Sequence, residues 1–152
     1  KVVNSSGNVA TEQTQLLTIA PGLFTANANG RGVPAAAVLR IKADGSQTYE
    51  PAARFDPTQN KFVPAEVDLS PPTDQVFLIV FGTGLRHADP SLVEARINDL
   101  IADVVYAGPQ PDFSGLDQIN LRLPRRLIGL GEVVVNVMVD DQKANLVTVA
   151  IK

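Results

Sequence analysis

The chain has 152 residues, no cysteine and a net charge of −3. The missing cysteines exclude a disulfide framework, zinc–thiolate sites and thiol catalysis. The acidic balance argues against nucleic-acid binding, because neutralising phosphates requires a clustered excess of Lys and Arg. The longest apolar run, residues 76–81, is far shorter than the ~18 residues that a membrane-spanning helix needs. We therefore expect a globular chain with no membrane span and no nucleic-acid partner.

Short apolar runs are separated along the whole chain by eleven Gly and eleven Pro. This spacing is typical of many brief strands joined by turns. The first stretch ends in the apolar segment 16–19 and is stopped by Pro21 and Gly22. The beginning of the chain, residues 1–3, reads as a strand rather than a signal peptide, so we interpret the chain as a mature form or an excised fragment.

The next predicted strand covers residues 33–42, and Asp44 with Gly45 follows it. This pair is a strong hairpin signal, because both central residues of a two-residue type I′ turn need positive φ. Residues 47–55 are the expected return arm. A further strand is predicted over 61–69, but Pro64 cannot donate to a sheet ladder and therefore indicates an edge or a bulge.

The middle of the chain carries one clear strand and one ambiguous segment. Residues 76–81 are apolar at every position, which predicts a central strand covered on both faces. In 91–106 the apolar residues fall at helical spacing and favour an amphipathic helix. The alternative is two strands that turn at Asn98 and Asp99, because both residue types tolerate the left-handed conformation.

Apolar and polar residues alternate over 118–123, 133–139 and 147–151. Such alternation with β-branched residues predicts half-buried strands, the last two forming a hairpin. The whole chain then holds about nine or ten strands at the spacing of antiparallel sandwiches. We therefore expect an all-β fold.

Several stretches also carry a family resemblance: APGLFT at 20–25, VYAG at 105–108 with GLDQIN at 115–120, and ANLVTVAI at 144–151. In order and spacing they resemble the Solibacter-type carboxy-terminal domain family, uncharacterised modules at the ends of large secreted bacterial proteins. The resemblance implies an immunoglobulin-like β-sandwich over 20–152, and two strands rather than a helix for 91–106. It also implies export and neighbouring domains in a parent protein, while residues 1–19 read as an amino-terminal strand or arm of a preceding module.

No residue pattern predicts catalysis. His87 is the single histidine; Asp89 and Ser91 lie close to it in sequence, but the Gly-x-Ser-x-Gly pattern of a nucleophile elbow is missing. Asp140 and Asp141 are adjacent, which suits an exposed turn better than the paired carboxylates of a glycosidase. We predict no catalytic residue, no metal ligand and no cofactor.

Two rarer kinds of site stay open. Calcium binding requires several oxygen ligands from close loops, so Asp112, Asp117, Asp140 and Asp141 would have to converge. An intramolecular isopeptide bond would require a buried lysine, Lys42 or Lys143, beside Asn136 or Asn145 and a carboxylate.

Five polar residues are the candidates for contact with a ligand or partner. Gln118 and Asn120 share the polar face of one strand; we expect their amides to satisfy backbone groups of the loop 106–113, or alternatively to form a ligand-facing row that continues to Arg122. Arg122 belongs to the one tight basic cluster, with Arg125 and Arg126, and reads as a solvated strand end or as an anion contact. The remaining two, in the Gly-rich loop 27–32, are Asn29 and Arg31.

The sequence therefore predicts a non-catalytic structural or adhesion module of a secreted or cell-surface protein. Its expected partners are other domains of the parent protein or copies of itself, joined by exchange of the arm 1–19 with an exposed sheet edge. The alternative is an extracellular module that binds polysaccharide or another ligand through the loops 25–33, 82–91 and 108–116.

Overall fold

Strands supply nearly all the regular structure of the chain. The computed structural model describes residues 1–13 and 17–152, and over these residues the fold is all-β. Two short 3₁₀ helices, Pro90–Leu92 and Arg125–Leu127, are the helical elements of the described part, where no helix is long and apolar enough to cross a bilayer. The strands are β1 (Val2–Val3), β2 (Val9–Ala10), β3 (Gly22–Leu23), β4 (Ala36–Ile41), β5 (Gln47–Pro51), β6 (Ala53–Asp56), β7 (Lys61–Pro64), β8 (Glu66–Val67), β9 (Gln75–Thr83), β10 (Val93–Ile97), β11 (Leu100–Pro109), β12 (Asp117–Arg122), β13 (Gly131–Val139), β14 (Gln142–Lys143) and β15 (Val147–Ile151).

One large sheet curls into two layers that share a strand. The first layer has the order β5-β4-β9-β12-β11 and the second has β11-β10-β13-β15-β8. The beginning of β11 pairs with β10, and from Asp103 onward β11 pairs with β12, with a register shift between Val104 and Tyr106. A bulge of this kind bends a strand and raises its twist, so β11 passes from one layer to the other.

The sandwich-like all-β architecture confirms the predicted fold class, with one difference in strand direction. Among the described residues all strand pairs are antiparallel except β15 and β8, which run parallel at Ala150 and Ile151. The connection from β8 to β15 is long, and a long connection permits a parallel pair, whereas a short hairpin permits only an antiparallel one. The immunoglobulin-like topology itself stays a prediction.

The core lies between the two layers as one continuous apolar cluster. The first layer contributes Val38, Leu78 and Leu121, and the second contributes Val135 and Val149, all at most 1% exposed. Burying an aliphatic side chain of this size stabilises the fold by about 1.5–3 kcal/mol. Packing across the layers is therefore the main stabilising force.

Segment 91–106 forms two strands, so the helical interpretation of its spacing was wrong. Val93, Ala95 and Ile97 are buried at every second position of β10. Ala95 does not fit the helical spacing, and it is small enough to fill the core between two larger side chains. Asn98 turns the chain with a φ of 55°, as the strand–turn–strand prediction required.

The connection after β4 is a hairpin, but the predicted two-residue turn is wrong. The N–H of Lys42 donates to the oxygen of Ser46 at 2.9 Å, and the N–H of Gly45 donates to the oxygen of Lys42 at 2.9 Å. Gly45 has a φ of 81°, whereas Asp44 is not left-handed. This is a three-residue connection in which glycine takes the left-handed position. The return arm also ends earlier than predicted, at Pro51, and β6 then pairs with β7 instead.

Strand β9 confirms the predicted central strand, because it pairs with β4 on one side and β12 on the other. Val76, Leu78 and Val80 point into the core, while Phe77 and Ile79 lie on the opposite face and are still buried. We call this opposite face of the first layer the outer face. Pro64 ends β7 in the separate two-stranded sheet β6–β7, which agrees with the predicted edge position.

Residues 1–13 are exposed, and β1 pairs with β2 in a short hairpin with Val2, Val3 and Val9. Part of the predicted apolar end of the arm, including Leu16, lies outside the described residues. The chain joins the main sheet where β3 pairs with β9. There a Cβ added at Gly84 would meet the backbone oxygen of Ala20 at 2.0 Å, so this close approach requires glycine.

Candidate functional site

The structure places the five candidate residues in two separate regions. Gln118, Asn120 and Arg122 form a polar row on the outer face, along β12. Asn29 and Arg31 lie in the loop that precedes β4 and line a cleft above the second layer. The two groups therefore cannot form one site.

Gln118 and Asn120 hydrogen-bond to each other rather than to the neighbouring loop. The Nε2 of Gln118 donates to the Oδ1 of Asn120 at 2.7 Å, whereas within the described residues neither amide bonds to the loop 106–113. The prediction that these amides satisfy that loop is wrong, because the two side chains are near neighbours on one face of a strand.

Arg122 ends this row in contact with an aromatic ring. Its guanidinium carbon lies 5.4 Å from the centroid of Phe77, and its Nη2 donates to the Oε1 of Gln75 at 2.9 Å. A cation above a ring face at this distance is attracted by the ring electrons. The guanidinium lies over the ring of the buried Phe77, while Arg122 itself stays exposed.

The loop with Asn29 and Arg31 has its shape fixed by its own side chains. The Oγ1 of Thr25 accepts from the backbone N–H of Asn29 and Gly30, and the Oδ1 of Asn29 accepts from the N–H of Arg31 at 3.0 Å. Thr25 is itself buried. Such side-chain hydrogen bonds to nearby backbone groups take the place of the backbone hydrogen bonds that a strand would receive from a neighbouring strand.

Two asparagines, Asn27 and Asn145, hold this loop to the rest of the fold. The sequence predicts this role for neither of them, since Asn145 was a candidate only for an isopeptide bond. Asn145 accepts from the N–H of Leu23 at 2.7 Å and donates to the oxygens of Leu23 and Gly30 at 3.0 Å. Asn27 accepts from the N–H of Phe62 and donates to its oxygen, both at 2.8 Å. No local signal marks them, since their partners are distant in sequence.

The hairpin β6–β7, the loop 27–33 and the exposed side of β13 and β15 enclose a cleft, which we call the hairpin cleft. It consists of two adjoining cavities of about 550 and 420 Å³ that share Gln59, Val63, Pro64 and Glu132. The larger cavity adds Arg54 and Glu66, and the smaller adds Arg31, Lys61 and Phe62. Its lining is thus mixed in charge, with an exposed ring at one end.

The charged side chains of the hairpin cleft are not paired with one another. Within the described residues the ion pairs are those of Arg40 with Glu50 and Asp74, and that of Arg86 with Asp117. These pairs lie elsewhere and support the fold. The cleft therefore presents cations and carboxylates that are available to another molecule.

The Arg40 cluster illustrates such a supporting role. Arg40 is buried and donates to Glu50, to Asp74 and to the backbone oxygen of Asp68. The hydrogen bond to Glu50 is the main cause that raises the pKa of Arg40. A buried guanidinium needs several acceptors to offset its lost hydration, and this one has them.

The residues considered for catalysis are used for local structure. The carboxylate of Asp89 accepts from the N–H and the Oγ of Ser91 at the start of the 3₁₀ helix 90–92. These bonds lower the pKa of Asp89. They also direct the carboxylate to Ser91 rather than to His87, which is exposed.

The two rarer sites do not acquire the geometry they need. Asp117 is fully buried and bonded to Arg86, so it is not available as a calcium ligand, and no group of three acidic or histidine side chains converges in the part of the chain that is described. Lys42 and Lys143 are both exposed, whereas isopeptide formation would require a buried lysine with an uncharged amine.

No protein-family model, curated protein or solved structure matches this chain. The resemblance to the Solibacter-type family therefore stays a prediction.

Proposed function

We propose that the chain is a non-catalytic structural module of a larger exported protein and that copies of it associate through an exposed strand edge. The placement outside the cell rests on the sequence resemblance. The assembly rests on the structure of two elements, the edge strand β5 and the amino-terminal hairpin.

The open edge of β5 is the observation that carries the proposal. Strand β5 is the last strand of the first layer and pairs only with β4 among the described residues. Lys42 and Ser46 form a bonded pair at the hairpin end, and bonded and non-bonded pairs alternate along an antiparallel ladder. The N–H groups of Gln47 and Tyr49 therefore point away from β4, toward an incoming strand.

The amino-terminal hairpin offers a strand of suitable chemistry. Val2, Val3 and Val9 are 71%, 55% and 55% exposed, and Tyr49 on β5 is 68% exposed. Aromatic and β-branched side chains on adjacent strands stabilise each other by about 0.2–1 kcal/mol per pair. If a strand from the arm of one copy paired with β5 of the next copy, the pairing would bury the exposed valines of the arm together with Tyr49 of β5.

Deleting residues 1–19 tests this proposal. The full chain should form concentration-dependent oligomers or fibres, seen by light scattering and electron microscopy, and the shortened chain should stay monomeric. Tyr49→Pro should also abolish association, because it removes an outward N–H, whereas Tyr49→Thr keeps that N–H and should retain most of it. A monomeric full chain, or assembly unchanged by the deletion, would contradict the proposal.

Ligand binding is the second candidate function, and the hairpin cleft is the observation that favours it. Of the predicted ligand loops, 25–33 contributes Arg31 and Asn29 to this cleft. The loops 82–91 and 108–116 are joined instead to each other, through the bond from Arg86 to the oxygen of Leu116. A glycan array probed with the full chain tests this function.

A further inference from the structure

We propose that the hairpin cleft binds an anionic polysaccharide, whose carboxylate or sulfate group is held by Arg31 and Lys61. This inference rests on the second candidate function, ligand binding, and names its substrate class. It is independent of self-assembly through β5.

The walls of the cleft are fixed before any ligand arrives. The side chain of Asn27 bonds to both backbone groups of Phe62 and so fastens the loop to the hairpin. On the other side, the N–H of Thr148 donates to the oxygen of Gly32 at 2.8 Å. Walls held by such bonds reduce the ordering cost of binding.

Two cationic side chains line one end of the cleft. Arg31 and Lys61 line the smaller cavity together, and Glu132 is the one carboxylate among the described residues that line it. Asp56 lies opposite Lys61 on β6, where its carboxylate accepts from Thr58 and Gln59. The guanidinium of Arg31 and the ammonium of Lys61 make no hydrogen bond or ion pair within residues 1–13 and 17–152. An arginine binds a carboxylate or sulfate through two parallel bonds, and a lysine adds a point charge. This end of the cleft therefore favours an anionic group although the whole chain is acidic.

An aromatic ring and two carboxylates line the rest of the cleft. The ring of Phe62 is 40% exposed at the same cavity and can cover the apolar face of a sugar. Glu66 and Glu132 line the continuation of the cleft, where they can accept bonds from sugar hydroxyls. An acidic peptide such as polyglutamate has no sugar ring to lie on Phe62 and no hydroxyls to donate to these carboxylates. Each sugar of an anionic polysaccharide can carry hydroxyls as well as a charged group, so one chain can contact both ends of the cleft.

Isothermal titration with four soluble polymers tests the inference: polygalacturonate, dextran sulfate, neutral dextran and polyglutamate. We expect binding of at least one of the two anionic polysaccharides, weakened by added salt, and no binding of dextran or polyglutamate. Arg31→Gln and Lys61→Gln should each weaken binding at least about tenfold, which corresponds to the loss of one charge-assisted bond.

The matched control is Arg96→Gln, which removes the same charge from an exposed residue of β10 outside the cleft. It should leave affinity unchanged within about twofold, and all variants should keep the thermal midpoint of the parent chain. Equal loss with Arg96→Gln, or no loss with Arg31→Gln, would overturn the proposed site. Binding of polyglutamate would indicate an acidic peptide instead.

A glycan array distinguishes failure of the anionic class from failure of ligand binding in general. If a glycan array shows binding of neutral sugars only, the anionic class is wrong while ligand binding by this chain stands. If no glycan and neither anionic polysaccharide binds, both the inference and the second candidate function fail.

Discussion

Single buried polar residues position the loops of this protein, and Asp117 is the clearest case. Its carboxylate is fully buried and accepts from the N–H groups of Leu85 and Arg86 at 2.8 and 3.2 Å and from the Nε of Arg86 at 2.9 Å. The carboxylate thus accepts hydrogen bonds from two backbone N–H groups that have no backbone acceptor in the turn after β9.

Replacing this carboxylate should destabilise the fold. Asp117→Ala leaves two backbone donors and the Arg86 side chain without an acceptor, and we expect a loss of about 2–3 kcal/mol in the free energy of unfolding. Because Arg86 stays partly exposed, water replaces some of what it loses. Urea denaturation measures the effect.

Asp103→Ala is the matched control, because Asp103 is exposed on β11. It should change the free energy of unfolding by less than about 0.5 kcal/mol. An equally small change for Asp117→Ala would show that the buried carboxylate is not needed.

At the scale of elements, the hairpin β6–β7 depends on its turn as well as on its strands. Asp56 accepts bonds from the side chains of Thr58 and Gln59, and these bonds lower its pKa from 3.8 to about 2. Phe55 and Phe62 stack edge to face with centroids 5.5 Å apart. The turn and the ring pair together hold one wall of the hairpin cleft.

The turn should therefore loosen in acid. A lowered pKa means that the folded hairpin favours the ionised carboxylate, so this contribution is complete above pH about 4 and is lost as the pH falls toward about 2. Amide resonances of Thr58 and Gln59, followed by NMR from above pH about 4 to below pH about 2, should shift with a midpoint near 2. Asp56→Asn keeps an acceptor but does not titrate, so it should remove this transition; a midpoint near 4 in the parent chain would contradict the expectation.

At the scale of the whole molecule, the curled sheet predicts one cooperative unit. Leu78 in the first layer and Ile151 in the second belong to the same apolar cluster. Leu78→Ala and Ile151→Ala should each cost about 2–5 kcal/mol, since either change leaves a cavity in a shared core. Both variants should still unfold in a single transition, with the same midpoint by far-UV circular dichroism and by tyrosine fluorescence.

Ile101→Ala provides the contrast for these core variants, because Ile101 is 70% exposed. It should change stability by less than about 0.5 kcal/mol. Two separate transitions in Ile151→Ala would indicate that the layers fold independently.

The sequence by itself determined the all-β class and most of the strands. Valines at every second position of β13 and β15, and the fully apolar β9, report which side chains meet the core, because successive side chains of a strand point to opposite faces. The same periodicity was misleading in 91–106, where small Ala95 hid the alternation. The turn at Asp44 was also predicted wrongly, because Gly45 suits a three-residue loop as well as a two-residue one. The bond from Lys42 to Ser46 shows that the three-residue loop forms.

Only the tertiary structure decided which elements meet. A strand's pattern encodes the face that it buries but not the identity of its partner, so the parallel pairing of β8 with β15 and the crossing of β11 between layers could not be derived. For the same reason Arg31 and Lys61, thirty positions apart, converge in one cleft that neither local sequence indicates. Contacts between distant segments bring the walls of the cleft together, and the side chains of those segments provide its charges.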